Sequence, residues 1–183
     1  MRGIERRIEA KLNPAVHSVA SVFVSRWDKA IEARVPSELH NQLGIAVASR
    51  TYKAYRTLLD TDRWLRLENA GAKPQRVLWA STGTKDPEAP DVLYIKALAA
   101  PFTVNTMPEA TLLALADHGE LGSIMSADGH DCEAVLARFS EAGVKLDALA
   151  AQLQTDGAKA FVKSWDELLA VIASKSNALK RAA

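Results

Sequence analysis

The sequence predicts an α/β fold in which about three parallel strands alternate with helices and give way, near residue 128, to helices alone. Three observations carry this reading. Short, nearly uncharged apolar runs recur at 17–24, 76–81 and 102–105, too brief for helices and too apolar for strands with one wet face. Amphipathic stretches separate them, the order expected of βα units with right-handed crossovers. Beyond Gly129 the strand runs stop, and segments rich in Ala and Leu complete the 183 residues.

Each element follows from local pattern. Ile4, Ile8 and Leu12 form one apolar stripe on a charged helix that Asn13 and Pro14 end. The run 17–24 is β-branched and reads as a strand covered on both faces. Residues 25–35 lose apolar continuity, and Pro36 with Gly44 frames a connection before a helix from about Ile45 to Leu59. Gly71, Lys73 and Pro74 break the chain ahead of the second strand, and a polar loop, 82–90, follows it. Asp91 is expected to cap a helix holding Leu93, Tyr94, Ala97 and Leu98, which Pro101 stops. After the brief third strand, Thr106 and Glu109 have the spacing of a capping box, predicting a helix from about Met107 to His118. Helices are then expected at 131–142, 146–163 and 164–179, so residues 1–127 read as the βα part and 128–183 as a helical extension.

Composition narrows the function classes. Twenty-three basic and 22 acidic residues give a net charge of +1, leaving no surplus of positive charge for nucleic acid. Cys132 is the only cysteine, so no internal disulfide forms and a reducing cytoplasm is the default setting. The charged N-terminus lacks the apolar stretch of a secretory signal, and no run approaches the roughly 18 apolar residues of a membrane span.

Working residues on parallel strands sit at their carboxyl ends and in the loops that follow. Here those positions hold Ser21, Phe23, Ser25 and Arg26; then Ser81, Thr82, Gly83, Thr84 and Lys85; then Asn105 and Thr106. Hydroxyls with one cation per loop suit a phosphate monoester: Arg offers a planar fork, Lys a point charge, and Ser, Thr and backbone amides fill the remaining lone pairs. The plainer reading pairs Arg26 with Asp28 or another helix carboxylate and leaves Lys85 solvated.

The segments S-V-A-S-V-F-V-S-R at 18–26 and L-W-A-S-T-G-T-K-D-P at 78–87 resemble the late barrel strands of transaldolases, and T-V-N-T-M-P-E at 103–109 resembles that family's last strand and the start of its final barrel helix. The resemblance covers nearly the whole chain. It implies that the strands are part of a (β/α)8 TIM barrel, strands six to eight, of an enzyme that transfers a dihydroxyacetone unit between sugar phosphates in the pentose phosphate pathway without metal or organic cofactor. It also implies that Ser21 and Arg26 bind the substrate phosphate and that Ser81 and Lys85 line the same end of the site. Val22 and Ser25 depart from the Pro and Gly of some family members. The family's Schiff-base lysine lies on its fourth strand and its acid and base on early strands. The match begins in the helix before the sixth strand, so no catalytic residue is assigned within this chain, and turnover would require a second polypeptide or an upstream coding region that carries the lysine. The three-stranded sheet would leave two unpaired edges, which a complementary half or a second copy of the chain could cover.

Other residues read as structural. Val92–Lys96 imitates a strand bearing a lysine, but the helical reading puts Lys96 on the wet side. Asp128, His130, Asp131, Cys132 and Glu133 are contiguous, and ligands on such a run point in different directions; Asp131 as N-cap with Glu133 in the first turn explains the same letters. His17, His40 and His118 have no carboxylate or cysteine at catalytic spacing and are expected to pack or cap. Trp27, Trp64, Trp79 and Trp165 read as core or helix-packing residues, and Lys175, Lys180 and Arg181 as a solvated helix end.

Overall fold

A computed structural model describes residues 1–182, with side chains through residue 180; Lys175 and Lys180 are exposed, and Arg181 lies outside the described side chains. Three strands, β1 (Ser18–Phe23), β2 (Gln75–Ala80) and β3 (Thr103–Asn105), form one parallel sheet in that order. Ser18 lies opposite Gln75, Phe23 opposite Ala80, and Val77 opposite Thr103. Registered partners point to the same face. Val22, Val77 and Trp79 therefore share one face, where they pack with Ala48 and Tyr52 of α3 (Leu43–Leu59), Tyr94 of α5 (Leu93–Ala97), and Leu98. Trp79 is fully buried there, and its indole N–H donates to the Leu98 carbonyl at 3.1 Å. The opposite face carries Val19, Ser21, Phe23, Leu78 and Val104.

The expectation that β1 is covered on both faces is corrected. Residues 18–21 are exposed, and Val19 keeps 47% of its surface in water. The β-branched, uncharged run marks a strand suited to burial on both sides. In this chain the helices α3 and α5 pack on the Val22–Val77–Trp79 face, and β1 is an edge strand.

Residues 25–35 are also more regular than their composition suggests. They form α2 (Ser25–Ile31) and a 3-10 turn (Glu32–Arg34), with a second turn at Ser37–Leu39. Residues missed as a helix between α3 and β2 form α4 (Asp62–Asn69); the Thr61 hydroxyl accepts from the Trp64 amide at 3.3 Å as its N-cap. Trp64 and Leu67 of α4, with Ala72, make a second small core against Met1 and Ile4, at the start of α1 (Arg2–Glu9), and Leu59.

Two expected caps are replaced by other bonds. Asp91 does not cap α5, whose N-cap is Val92; its carboxylate meets His118 instead. Thr106 does not complete a capping box, because its hydroxyl donates at 3.1 Å to the Trp79 carbonyl, which its backbone amide also meets at 2.9 Å to extend the β2–β3 ladder. Helix α6 (Glu109–His118) therefore starts at Glu109 with no side-chain cap. Asp131 precedes α7 (Cys132–Glu141) without a capping bond, and the nearby Asp128 carboxylate accepts the His130 amide at 2.8 Å.

The chain forms two compact units, Met1–Gly143 and Val144–Ala183. In the first, α7 packs along α3, and Arg50 pairs with Glu133 through both guanidinium-to-carboxylate bonds. In the second, the expected pair of helices is one continuous α8 (Leu146–Ala182). Ser164 interrupts an apolar pattern but is no helix breaker, and neither Pro nor Gly stands at the supposed joint. Trp165 is 59% exposed, which corrects its assignment to a core. Among the described residues no helix is long and apolar enough to cross a membrane.

Candidate functional site at the carboxyl rim of the sheet

At the carboxyl ends of β1 and β2 the chain leaves both strands in step. The Val24 amide donates to the Ala80 carbonyl at 2.9 Å and the Ser25 amide to the Ser81 carbonyl at 3.0 Å, so the pairing continues past both strands. The hydroxyls of Ser25 and Ser81 are 2.8 Å apart. Ser81 holds a φ of 55°, the left-handed region that a residue with a side chain seldom occupies. Its bonds on both backbone and side chain maintain that conformation and turn the following loop across the rim. On the far side of β2 the Thr82 hydroxyl, fully buried, contacts both Asn105 Oδ1 at 2.9 Å and the Thr106 carbonyl at 2.7 Å, which ties the same loop to the end of β3.

The four residues singled out by sequence stand as follows. Ser21 is exposed on the β1 face opposite the helical layer, the face that also carries Phe23. The Arg26 guanidinium lies over the Phe23 ring, 4.4 Å from its centre, on the sheet face that Ser21 shares. Ser81 meets Ser25. Lys85 is exposed and lines a small hollow with Ser25, Asp28, Asn41, Asp86 and Tyr94. Asp86 is engaged there by the Asn41 side-chain amide at 2.7 Å and by the Glu88 backbone amide, and both bonds hold its carboxyl below the ordinary range.

Sequence reasoning missed the floor of this hollow. Asp28 is not the partner of Arg26. Its carboxylate, 7% exposed, accepts the Tyr94 hydroxyl at 2.8 Å and takes the Gly44 amide on both oxygens at 3.2 Å. Burial pushes the Asp28 carboxyl up, opposed by these donors, and burial together with Asp28 pushes the Tyr94 hydroxyl far up. A signal existed: Val24, Asp28 and Ile31 share one helical stripe, so a carboxylate stands where an apolar residue is due.

The remaining titratable groups lie elsewhere. His118, expected to pack or cap, is instead bracketed by Asp91 at 3.0 Å and Asp117 at 3.2 Å on the surface. Its imidazole is held above its usual range, chiefly by Asp91. Cys132 is buried, which pushes its thiol up and keeps it protonated. Lys96 is exposed on α5.

Comparison with known proteins then places this architecture. The profile of the family "Transaldolase/Fructose-6-phosphate aldolase" matches residues 5–172. The chain is 44% identical to a transaldolase of Frankia alni, with 96% of this chain and 50% of the relative aligned. It is 41% identical to a transaldolase of Thermobifida fusca, again over 96% of the chain and 50% of the relative. A transaldolase of Neisseria meningitidis is 39% identical over 92% of the chain and 48% of its own length. The chain thus spans about half the length of the curated relatives it matches. With three neighbouring parallel strands in the order of a barrel wall and a profile match over nearly its full length, the chain belongs to the transaldolase and fructose-6-phosphate aldolase family.

Proposed function

We propose that this chain supplies the phosphate-gripping part of a transaldolase-type site, in which a dihydroxyacetone unit passes between sugar phosphates of the pentose phosphate pathway. The observation that carries the reading is the Ser25–Ser81 hydroxyl contact, which locks together the loops leaving two adjacent parallel strands. In this reading Arg26 offers its fork to two phosphate oxygens, Ser21 donates from the same face, and Ser81 and Lys85 close the rim. The Schiff-base lysine comes from residues outside this chain, and no metal or organic cofactor takes part. Residues 1–127 are the barrel part, 128–183 the helical extension, and the setting is cytoplasmic. The partner is a complementary N-terminal half whose strands add at the free edges of β1 and β3.

Titration calorimetry with fructose 6-phosphate tests the proposal. The full chain is expected to bind, and Arg26→Ala to weaken binding by about 1.5–3 kcal/mol, the worth of a charge-assisted bond. Absence of binding by the unaltered chain overturns it.

The exposure of residues 18–21 at the edge of the sheet favours a second reading, a non-catalytic sugar-phosphate-binding fragment that pairs with its own copy. A strictly monomeric mass in sedimentation removes it.

A further inference from the structure

We propose that Asp28 is a positioning residue that acts through Arg26, fixing the first turn of α2 so that the guanidinium is held where a substrate phosphate arrives. The inference rests on the phosphate-gripping reading above. Arg26 lies between two tethers. On one side the Ser25 hydroxyl meets Ser81 at 2.8 Å, which fixes the turn to the loop after β2. On the other, two residues past Arg26, the Asp28 carboxylate takes the Gly44 amide in the first turn of α3 and the Tyr94 hydroxyl of α5. The guanidinium itself is over Phe23, so the backbone on either side is what sets its reach.

Packing alone does not account for an aspartate here. An apolar residue would continue the Val24–Ile31 stripe without the cost of desolvating a carboxylate. The surroundings are instead cut to receive one. Gly44 has no side chain, and a Cβ there would lie 2.5 Å from Asp28 Oδ2 and 2.6 Å from the Val24 carbonyl. The amides at the start of α3 favour an anion at that spot. The result is a fixed acceptor joining α2, α3 and α5, two residues along the chain from Arg26.

The test is a set of double-mutant cycles on the full chain, reading the dissociation constant for inorganic phosphate and the melting temperature. Asp28→Ala is expected to weaken phosphate binding about tenfold, and Tyr94→Phe and Asp28→Asn, which each keep part of the bonding, about threefold. In an Arg26→Ala background each effect is expected to shrink below about twofold, because the residue through which Asp28 acts is gone. Asp28 variants that lower the melting temperature but leave affinity unchanged overturn the inference, as do losses of equal size with and without Arg26. Should Asp28→Ala not fold, Tyr94→Phe and Asp28→Asn complete the cycle. A wild-type chain that does not bind phosphate overturns the phosphate reading and this inference together. Binding that depends on Arg26 but not on Asp28 overturns this inference alone.

Discussion

Replacing Gly44 by alanine would put one methyl group into the closed contact between α2 and α3. The added carbon would stand 2.5 Å from Asp28 Oδ2, 2.6 Å from the Val24 carbonyl and 3.1 Å from Val24 Cγ1. Two of these neighbours are fixed. The Val24 carbonyl belongs to backbone paired with the end of β2, and the Asp28 carboxylate is held by Tyr94. Relief requires α3 to back away from α2. Overpacking of this kind costs about 1–3 kcal/mol. The same movement stretches the bond from the Gly44 amide, 3.2 Å from each carboxylate oxygen, and a bond to a charged acceptor is worth about 1.5–3 kcal/mol. The expected loss is about 3–5 kcal/mol, which for a chain of this size lowers the melting temperature by about 6–20 °C. Thermal and urea unfolding followed by circular dichroism measure it. A melting temperature within about 2 °C of wild type would refute the fixed-neighbour argument, and with it the view of Asp28 as a rigid tether.

Three further outcomes follow from the same geometry. Thr61→Ala removes the cap of α4, whose amide bond at Trp64 is 3.3 Å, and is expected to cost about 1 kcal/mol in urea unfolding; an unchanged midpoint contradicts it. Asp28 has a folded-state carboxyl raised above its ordinary 3.8, so the stability it gives is full below that value and is lost as pH rises through the raised value. Unfolding between pH 3 and 7 should therefore show Asp28→Asn gaining on wild type as pH rises; parallel curves would refute the burial assigned to it. His118 is raised above 6.5, chiefly by Asp91, so its contribution is present below 6.5 and fades as pH climbs through the raised midpoint. Asp91→Asn should bring the His118 midpoint in an NMR titration back toward 6.5, and a midpoint that does not move would detach His118 from Asp91.

The sheet was legible because three short apolar runs, punctuated by Pro, Gly and polar loops, leave no other assignment, and the alternation with helices sets parallel pairing. Helix α2 was hidden by its own chemistry: Ser25, Arg26, Asp28 and Lys29 make its sequence look like a loop, and only Val24, Asp28 and Ile31 read as a stripe give it away. α4 was hidden by length, since eight residues carry only Trp64 and Leu67 as buried anchors. Two of the failed caps share a cause. Asp91 and Thr106 have the residue types of caps, but distant partners, His118 and the Trp79 carbonyl, compete for their oxygens, and sequence spacing contains no information about those partners. At the rim, hydroxyls and cations were identifiable by type and by position after a strand. The Ser25–Ser81 contact and the left-handed Ser81 depend on register between strands far apart in sequence, which no local pattern records.

The division of labour proposed for this chain, a phosphate grip without the nucleophile, is tested most directly by borohydride trapping. The chain alone is mixed with fructose 6-phosphate and erythrose 4-phosphate, reduced, and its intact mass measured. The mass is expected to stay that of the unmodified chain. A stable gain equal to a reduced dihydroxyacetone adduct on any lysine of this chain would contradict the account, because it would place the Schiff base within these residues.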